Sequence, residues 1–185
     1  MSFLKDIRMW AYHRSLKQQL RGRREPNGRN EINLSNAKTI GILFDATELD
    51  ARDVILEYAD ALRKKNKRVK LLGYFDNPTD SENYPFDYYN RKQVDWAFRP
   101  KGEQVTSFLK QGLDLLMNIN SKSLIHTEYI AALSNAKLRV GPCTEHTYCY
   151  DLMIELSSHS GLRQFIEQAE ALLGKTNIQH EAAPV

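Results

Sequence analysis

Short apolar runs recur along this chain of 185 residues and are separated by segments of helical pattern. Each run is nearly continuous in apolar residues rather than alternating, which is typical of a strand that is buried on both faces. Alternation of such strands with helices predicts an α/β fold: a single Rossmann-like, mostly parallel sheet of about five or six strands, flanked by helices. The five clearest runs cover residues 39–44, 69–75, 113–119, 137–141 and 151–156.

Turn and cap signals between the runs predict the bounds of the individual elements. We expect strands over residues 39–44, 68–75, 94–98, 113–119, 138–141 and 151–156. We expect helices over about 50–65, 102–110, 128–135 and 162–173, the first with Asp50 as its N-cap residue. The predicted core of the sheet contains Ile42, Phe44, Leu71, Leu115, Met117, Val140 and Ile154.

Basic charge is concentrated at the start of the chain. Residues 1–30 hold eight Lys and Arg residues and two acidic residues, a net charge of +6, whereas the remaining residues sum to −3. We therefore predict a basic N-terminal helical arm and linker over 1–30, a Rossmann-like domain over 31–175 and a disordered tail over 176–185.

The arm carries apolar and then basic residues at three- and four-residue spacing along one side of the predicted helix. In one interpretation the apolar residues Phe3, Ile7 and Trp10 dock on the sheet domain while the basic residues are solvated. In the other, the basic residues bind an acidic partner such as RNA, anionic lipid or an acidic protein surface. The candidate residues for that contact are Arg14, Lys17, Arg21, Arg23 and Arg24.

The composition predicts a cytoplasmic protein. Two cysteines without framework spacing are typical of a reducing compartment. The first residues contain no apolar core of a signal peptide, and no segment approaches the roughly eighteen apolar residues that a membrane span requires, so we expect no transmembrane span.

Polar residues follow the predicted strands, at the edge where open α/β sheets bind ligands. The same residue types also serve turns and helix caps. The turn at residues 45–48 lacks the glycines of a pyrophosphate-binding loop, and no Gly-x-Ser-x-Gly elbow occurs, so no cofactor is predicted. The candidate ligand-binding residues are Asp45, Thr47, Asp76, Asn77, Asn118, Asn120, Glu145 and His146.

Two further groups have both a functional and a structural interpretation. Cys143, His146 and Cys149 have a spacing that could supply three metal ligands, with His126 or His159 as a fourth. Cys143 with His146 or His126 could also be a nucleophile and base. A buried thiol is the simpler interpretation, and no metal site is predicted. The aromatic segment over 77–98 either packs on the sheet edge or binds a protein partner. Its candidate anchors are Tyr84, Phe86, Tyr88 and Tyr89.

The sequence resembles two known families. The strings at residues 40–45, 69–76, 114–120 and 136–142 resemble an uncharacterised bacterial family known only as a domain of unknown function, which implies no activity. The passage over 114–141 is similar to the N-terminal Rossmann half of heptosyltransferase-like glycosyltransferases, which place the nucleotide-sugar site in a second half.

From these features we predict a binding or adaptor module that contacts an acidic partner through its basic arm. The alternative is a small nucleotide-sugar-binding or glycosyltransferase-like enzyme that uses the polar residues at the strand ends. No pattern in the sequence identifies catalytic residues.

Overall fold

Six parallel strands form the centre of the protein, in a computed structural model that describes residues 2–21, 32–77, 83–155 and 161–175. The strands are β1 (Thr39–Asp45), β2 (Arg68–Phe75), β3 (Asp87–Asn90), β4 (Leu115–Ile119), β5 (Leu138–Pro142) and β6 (Leu152–Ile154). The α-helices within the described residues are α1 (Ser2–Leu20), α2 (Leu49–Lys64), α3 (Glu103–Leu109), α4 (Ile125–Leu133) and α5 (Leu162–Lys175).

The strand order is β3-β2-β1-β4-β5-β6, and every neighbouring pair is parallel. The chain therefore builds the sheet outward in two directions, with the change of direction between β1 and β4. All seven residues predicted to form the core of the sheet are buried. The predicted α/β fold with a parallel sheet is confirmed.

Alternating side chains of each strand supply two separate cores. On one face of the sheet, Ile42 of β1 packs in a cluster with residues of α2 and α5. On the other face, Leu43 packs in a cluster with residues of α1, α3 and α4. The sheet is thus covered on both sides, as the near-continuous apolar runs require.

Helix α1 docks on the second core through Tyr12 and Leu16, which are 0% and 3% exposed. The hydroxyl of Tyr129 in α4 lies 3.0 Å from Ser15 Oγ and accepts a hydrogen bond from Gln19 Nε2. The guanidinium of Arg8 lies 3.9 Å from the centre of the Phe98 ring. Packing, hydrogen bonds and a cation–π contact together hold the helix on α4 and the loop before α3.

The predicted docking of the apolar residues of the arm is wrong, because Phe3 and Trp10 are 75% and 63% exposed. The helix carries a second apolar row, formed by Met9, Tyr12, Leu16 and Leu20, on its opposite side. That row runs to the end of the helix, whereas the first covers only its beginning, so the second row buries more of the helix against the protein.

The predicted strand over 94–98 is also wrong, since this segment forms a loop and β3 lies earlier in the chain. Asn90 caps a 3₁₀ turn directly after β3, with its Oδ1 accepting a hydrogen bond from the backbone N–H of Lys92 at 3.0 Å. Asp95 then accepts hydrogen bonds from the backbone N–H groups of Ala97 and Arg99. Burial alone would raise the pKa of Asp95, but hydrogen bonds from Arg99, Lys101 and the backbone lower it to about 2.

Smaller differences concern helix ends and segments outside the described residues. The N-cap residue of α2 is Glu48, and Asp50 lies in the first turn. There the negative charge of Asp50 interacts favourably with the positive end of the helix dipole. The predicted linker at the end of the 1–30 segment, residues 22–30, and the predicted tail over 176–185 lie outside the described residues. Among the helices that the structure describes, each is too short or too polar to cross a bilayer.

The docking of α1 predicts a large and a small loss of stability for two aromatic substitutions only two positions apart. Tyr12→Ala should lower the free energy of unfolding by about 3 kcal/mol, because it removes a fully buried ring from the second core. Trp10→Ala should change it by no more than about 0.5 kcal/mol, because this side chain is exposed. Urea denaturation measures both, and a larger loss for Trp10→Ala would contradict the docked orientation.

Candidate functional site

Polar residues meet at one edge of the sheet, because the carboxyl ends of parallel strands lie together. This carboxyl edge carries all eight of the predicted ligand-binding candidates, although their exposure differs. Asp76, Asn77 and Glu145 are exposed, Asp45, Thr47 and His146 are half-buried, and Asn118 and Asn120 are buried.

The crevice between β1 and β4 is bridged by asparagine side chains. Asn120 Oδ1 accepts a hydrogen bond from the backbone N–H of Asp45 at 2.7 Å, and Asn120 Nδ2 donates to Asn118 Oδ1 at 2.5 Å. Asn118 Nδ2 in turn donates to Thr127 Oγ1 at 3.0 Å and to the hydroxyl of Tyr150. Buried amides are expected to be satisfied within the protein, and these hydrogen bonds occupy the place where doubly wound sheets usually bind a ligand.

The ring of Tyr150 closes this network from the side of β5. It lies so close to the backbone of Gly141 that a Cβ atom at this position would be 2.3 Å from the ring. Gly141 is therefore required by the close approach of a buried side chain rather than by a turn.

Asp45, Thr47 and Asp76 tie the loops after β1 and β2 together. Thr47 donates its backbone N–H to Asp45 Oδ1 at 2.9 Å, and Asp76 donates its backbone N–H to Thr47 Oγ1 at 3.0 Å. The hydroxyl of Tyr74 donates to Asp76 Oδ1 at 3.0 Å. These contacts are typical of turn chemistry, and the two carboxylates give this part of the edge an acidic character.

The aromatic side chains at residues 84–89 pack against β2, whereas Trp96, farther along the same segment, is 58% exposed. Phe86 and Tyr89 are buried, whereas Tyr84 and Tyr88 are half-buried and contact the ring of Phe75. Phe86 and Tyr89 are therefore inaccessible to a protein partner, which leaves Tyr84 and Tyr88 as the accessible candidates on this surface.

His126 of α4, which the sequence offers as a possible metal ligand or base, is a buried residue. Its Nδ1 lies 2.8 Å from the hydroxyl of Tyr89, and its ring centre lies 4.1 Å from that of Tyr74. Burial lowers the pKa of His126 to about 4. The imidazole is consequently neutral at pH 7 and forms part of the core behind the carboxyl edge.

Glu128 of α4 and His146 form a hydrogen-bonded pair beside α1. Glu128 Oε2 lies 2.6 Å from His146 Nδ1, and Ser123 Oγ donates to the same buried carboxylate. A carboxylate in this position needs such partners because burial removes it from water. The ring of His146 lies 5.3 Å from the ring of His13, whose Nδ1 lies 3.2 Å from the hydroxyl of Tyr148.

The cysteine and histidine residues of this loop do not form a metal site. Cys143 is exposed, Cys149 is buried, and both are free thiols. Within the described part of the chain, no group of three His, Cys, Asp or Glu residues has the geometry to hold a metal ion. Burial raises the pKa of Cys149 to about 12, so this thiol is protonated and unreactive at neutral pH.

The outer face of α1 lies opposite the docked row and consists of an apolar half and a basic half. The apolar half is Phe3, Ile7 and Trp10, and the basic half is Arg14, Lys17 and Arg21. All six side chains are exposed, and Arg23 and Arg24 lie outside the described residues.

Two open cavities of about 520 Å³ and 460 Å³ lie against α1. His13, Lys17 and Arg21 line both of them. Arg14 lines the larger cavity, and Tyr148 lines the smaller one. The residues of the basic half thus contribute to the lining of both cavities.

Gly141 offers a test of the closed network at the carboxyl edge. Gly141→Ala should lower the free energy of unfolding by about 2 kcal/mol, because the added methyl group overlaps the ring of Tyr150. Gly112→Ala is the matched control: no atom lies within 4 Å of its added Cβ, and we expect a change within about 0.5 kcal/mol. Equal effects in chemical denaturation would contradict the close packing of Tyr150.

His126 should make the stability depend on pH. Its folded pKa of about 4 lies below the ordinary value of 6.5, so the unfolded state binds more protons between these limits, and stability is lost as the pH falls. Between pH 7 and pH 5 this loss is about 2 kcal/mol. Denaturation of His126→Phe at the two pH values should show a correspondingly smaller difference than in the unaltered protein. An unchanged difference would contradict the neutral state of the buried ring.

Comparison with known proteins places the chain in a family without assigning an activity. The search of curated proteins found no match. No comparison supports the similarity to heptosyltransferase-like glycosyltransferases. The model of a family of unknown function, DUF6913, matches residues 11–175 and so includes the second half of α1 and the whole described sheet. The expected resemblance to an uncharacterised family is confirmed: the chain belongs to the family of unknown function DUF6913.

Proposed function

We propose that the protein is a binding or adaptor module that contacts an acidic partner through the basic half of α1. The observation that carries this proposal is the orientation of the helix. Because Tyr12 and Leu16 hold one side of α1 in the core, Arg14, Lys17 and Arg21 point away from the protein.

The charge of the helix supports an acidic partner. Asp6 is the single acidic residue in α1, against the four basic residues Lys5, Arg8, Arg14 and Lys17, and Arg21 follows directly. Among the contacts of the described residues, Arg14, Lys17 and Arg21 form no salt bridge with a carboxylate. Such uncompensated cations on one surface attract an acidic partner and increase its association rate.

The docking of α1 also reduces the conformational entropy that is lost when a partner binds. A flexible basic arm loses conformational entropy when it binds, whereas a helix that is already held on α4 loses less. His13 and Tyr148 further connect the basic half to the loop after β5. Two free cysteines are compatible with a cytoplasmic site of action in this proposal.

The alternative, a nucleotide-sugar-binding or glycosyltransferase-like enzyme, has weaker support. The site of such an enzyme would be the carboxyl edge. There the side chains of Asn118 and Asn120 are buried and form a hydrogen bond with each other rather than with a ligand. The carboxylates of Asp45 and Asp76 at the same edge would repel the phosphates of a nucleotide sugar.

Retention on immobilised heparin tests the basic half independently of the identity of the natural partner. Arg14→Gln, Lys17→Gln and Arg21→Gln combined should reduce binding, because fewer counterions are released when the polyanion binds. The slope of log K against log salt should fall by about one for each residue replaced. The melting temperature should stay nearly constant, since all three side chains are exposed.

A control variant with the same loss of charge shows whether position matters. Arg63→Gln, Lys64→Gln and Lys65→Gln remove three exposed charges at the end of α2, which covers the opposite face of the sheet. We expect this variant to retain most of the heparin affinity. Equal losses in the two triple variants would refute a specific role for α1.

A further inference from the structure

We infer that the acidic partner is an anionic membrane surface, on which α1 lies with its outer face against the lipid. This inference rests on the proposed function and identifies its partner class. It starts from the apolar half of the outer face, where Phe3, Ile7 and Trp10 are 75%, 39% and 63% exposed. Three large apolar side chains in a row on a helix surface indicate an interaction site.

The apolar and basic halves share one side of the helix. Their six residues follow each other at intervals of three or four positions, which places them in a single row along α1. Tyr12 and Leu16 occupy the opposite side and are buried against α4. The helix therefore has one side committed to the fold and a continuous outer face available to a flat partner.

An anionic bilayer fits both halves of this face. Apolar and aromatic side chains of interfacial helices enter the boundary between head groups and acyl chains, and tryptophan is favoured at this depth. Lys and Arg side chains remain at the level of the lipid phosphates. Because the apolar half precedes the basic half along α1, the beginning of the helix would lie deeper in the bilayer than its end. The body of the protein would stay on the aqueous side.

Other partners would complement only one half of the outer face of α1. Nucleic acid would neutralise Arg14, Lys17 and Arg21, but Ile7 is aliphatic and neither stacks on bases nor binds phosphate. A second copy of the chain packed in parallel would place basic half against basic half, which like-charge repulsion disfavours. Since no described helix spans a bilayer, the contact we infer is peripheral.

Each half should contribute a measurable factor to membrane affinity. Every basic residue near an anionic surface contributes about fivefold, so loss of the three residues should weaken binding about 100-fold. Each large apolar side chain that leaves water contributes about tenfold or more, so loss of two should have an effect of similar size. Neither contribution alone holds a protein stably on a membrane.

Co-sedimentation of the full chain with vesicles measures these contributions. We expect binding to vesicles of phosphatidylcholine mixed with phosphatidylglycerol and much weaker binding to phosphatidylcholine alone. The combination Arg14→Gln, Lys17→Gln and Arg21→Gln should lose about 100-fold in affinity for the mixed vesicles. The combination Ile7→Ser and Trp10→Ser should lose about as much while keeping its retention on heparin.

Fluorescence reports insertion directly. The chain has two tryptophans, Trp10 and Trp96, so a Trp96→Phe background isolates the signal of Trp10. We expect its emission to shift to shorter wavelength on mixed vesicles, because the indole leaves water. Leu49→Ser removes another exposed apolar side chain, on α2, and should leave vesicle binding unchanged.

The results separate this inference from the proposed function. If the unaltered protein is retained on heparin through α1 but does not bind mixed vesicles, the membrane inference is overturned and the partner is nucleic acid or an acidic protein. Vesicle binding that survives Ile7→Ser and Trp10→Ser would also overturn it. If the two charge variants behave alike on heparin, the proposed function itself fails.

Discussion

A parallel sheet whose strands are apolar on both faces must be covered on both faces, and the remaining structure follows from this requirement. Helices α2 and α5 cover one face. On the other face α3 has only seven residues, and α1 joins α3 and α4 there through Tyr12 and Leu16. A helix that precedes the first strand of the sheet thus completes its second core, and the docking of this helix determines which of its sides remains exposed.

The use of one side of α1 for the fold determines the chemistry of the other. A helix with apolar residues on two sides can bury only one of them against a single sheet. The row that packs in the second core contains Tyr12, which contributes a large buried ring. The outer face then combines exposed apolar and basic side chains on a docked helix. An exposed apolar patch beside polar residues is typical of an interaction site.

Features that depend on continuous patterns could be predicted from the sequence. The apolar runs of β1, β2 and β4 identify the central strands, since burial on both faces leaves little choice of residue. The short edge strand β3 lacks that signal because one side of it contacts solvent, and the pairing of Asn90 with Gln93 ends it early. The docked row of α1 was equally unpredictable, because both rows have helical spacing and only the shape of the sheet selects between them.

The hydrogen-bond partners of the buried polar residues could not be predicted, for a different reason. Asn118 and Asn120 lie at the carboxyl edge, but their partners come from β1, α4 and the loop after β5. His126 and Glu128 lie on a helix that is buried all round, where a polar residue is tolerated only if the fold brings it a partner. Such partners are separated by many residues in the chain, so no local pattern records them.

Acidic and basic residues are concentrated on different parts of the surface. Asp45 and Asp76 make the region of the carboxyl edge at β1 and β2 acidic, while Arg14, Lys17 and Arg21 make the outer face of α1 basic. In the function proposed above, a negatively charged surface would repel the first region and attract the second, and so would orient the protein before contact. This orientation would present the apolar half of α1 together with the basic half, so that the short-range apolar contact we infer would follow the long-range electrostatic attraction.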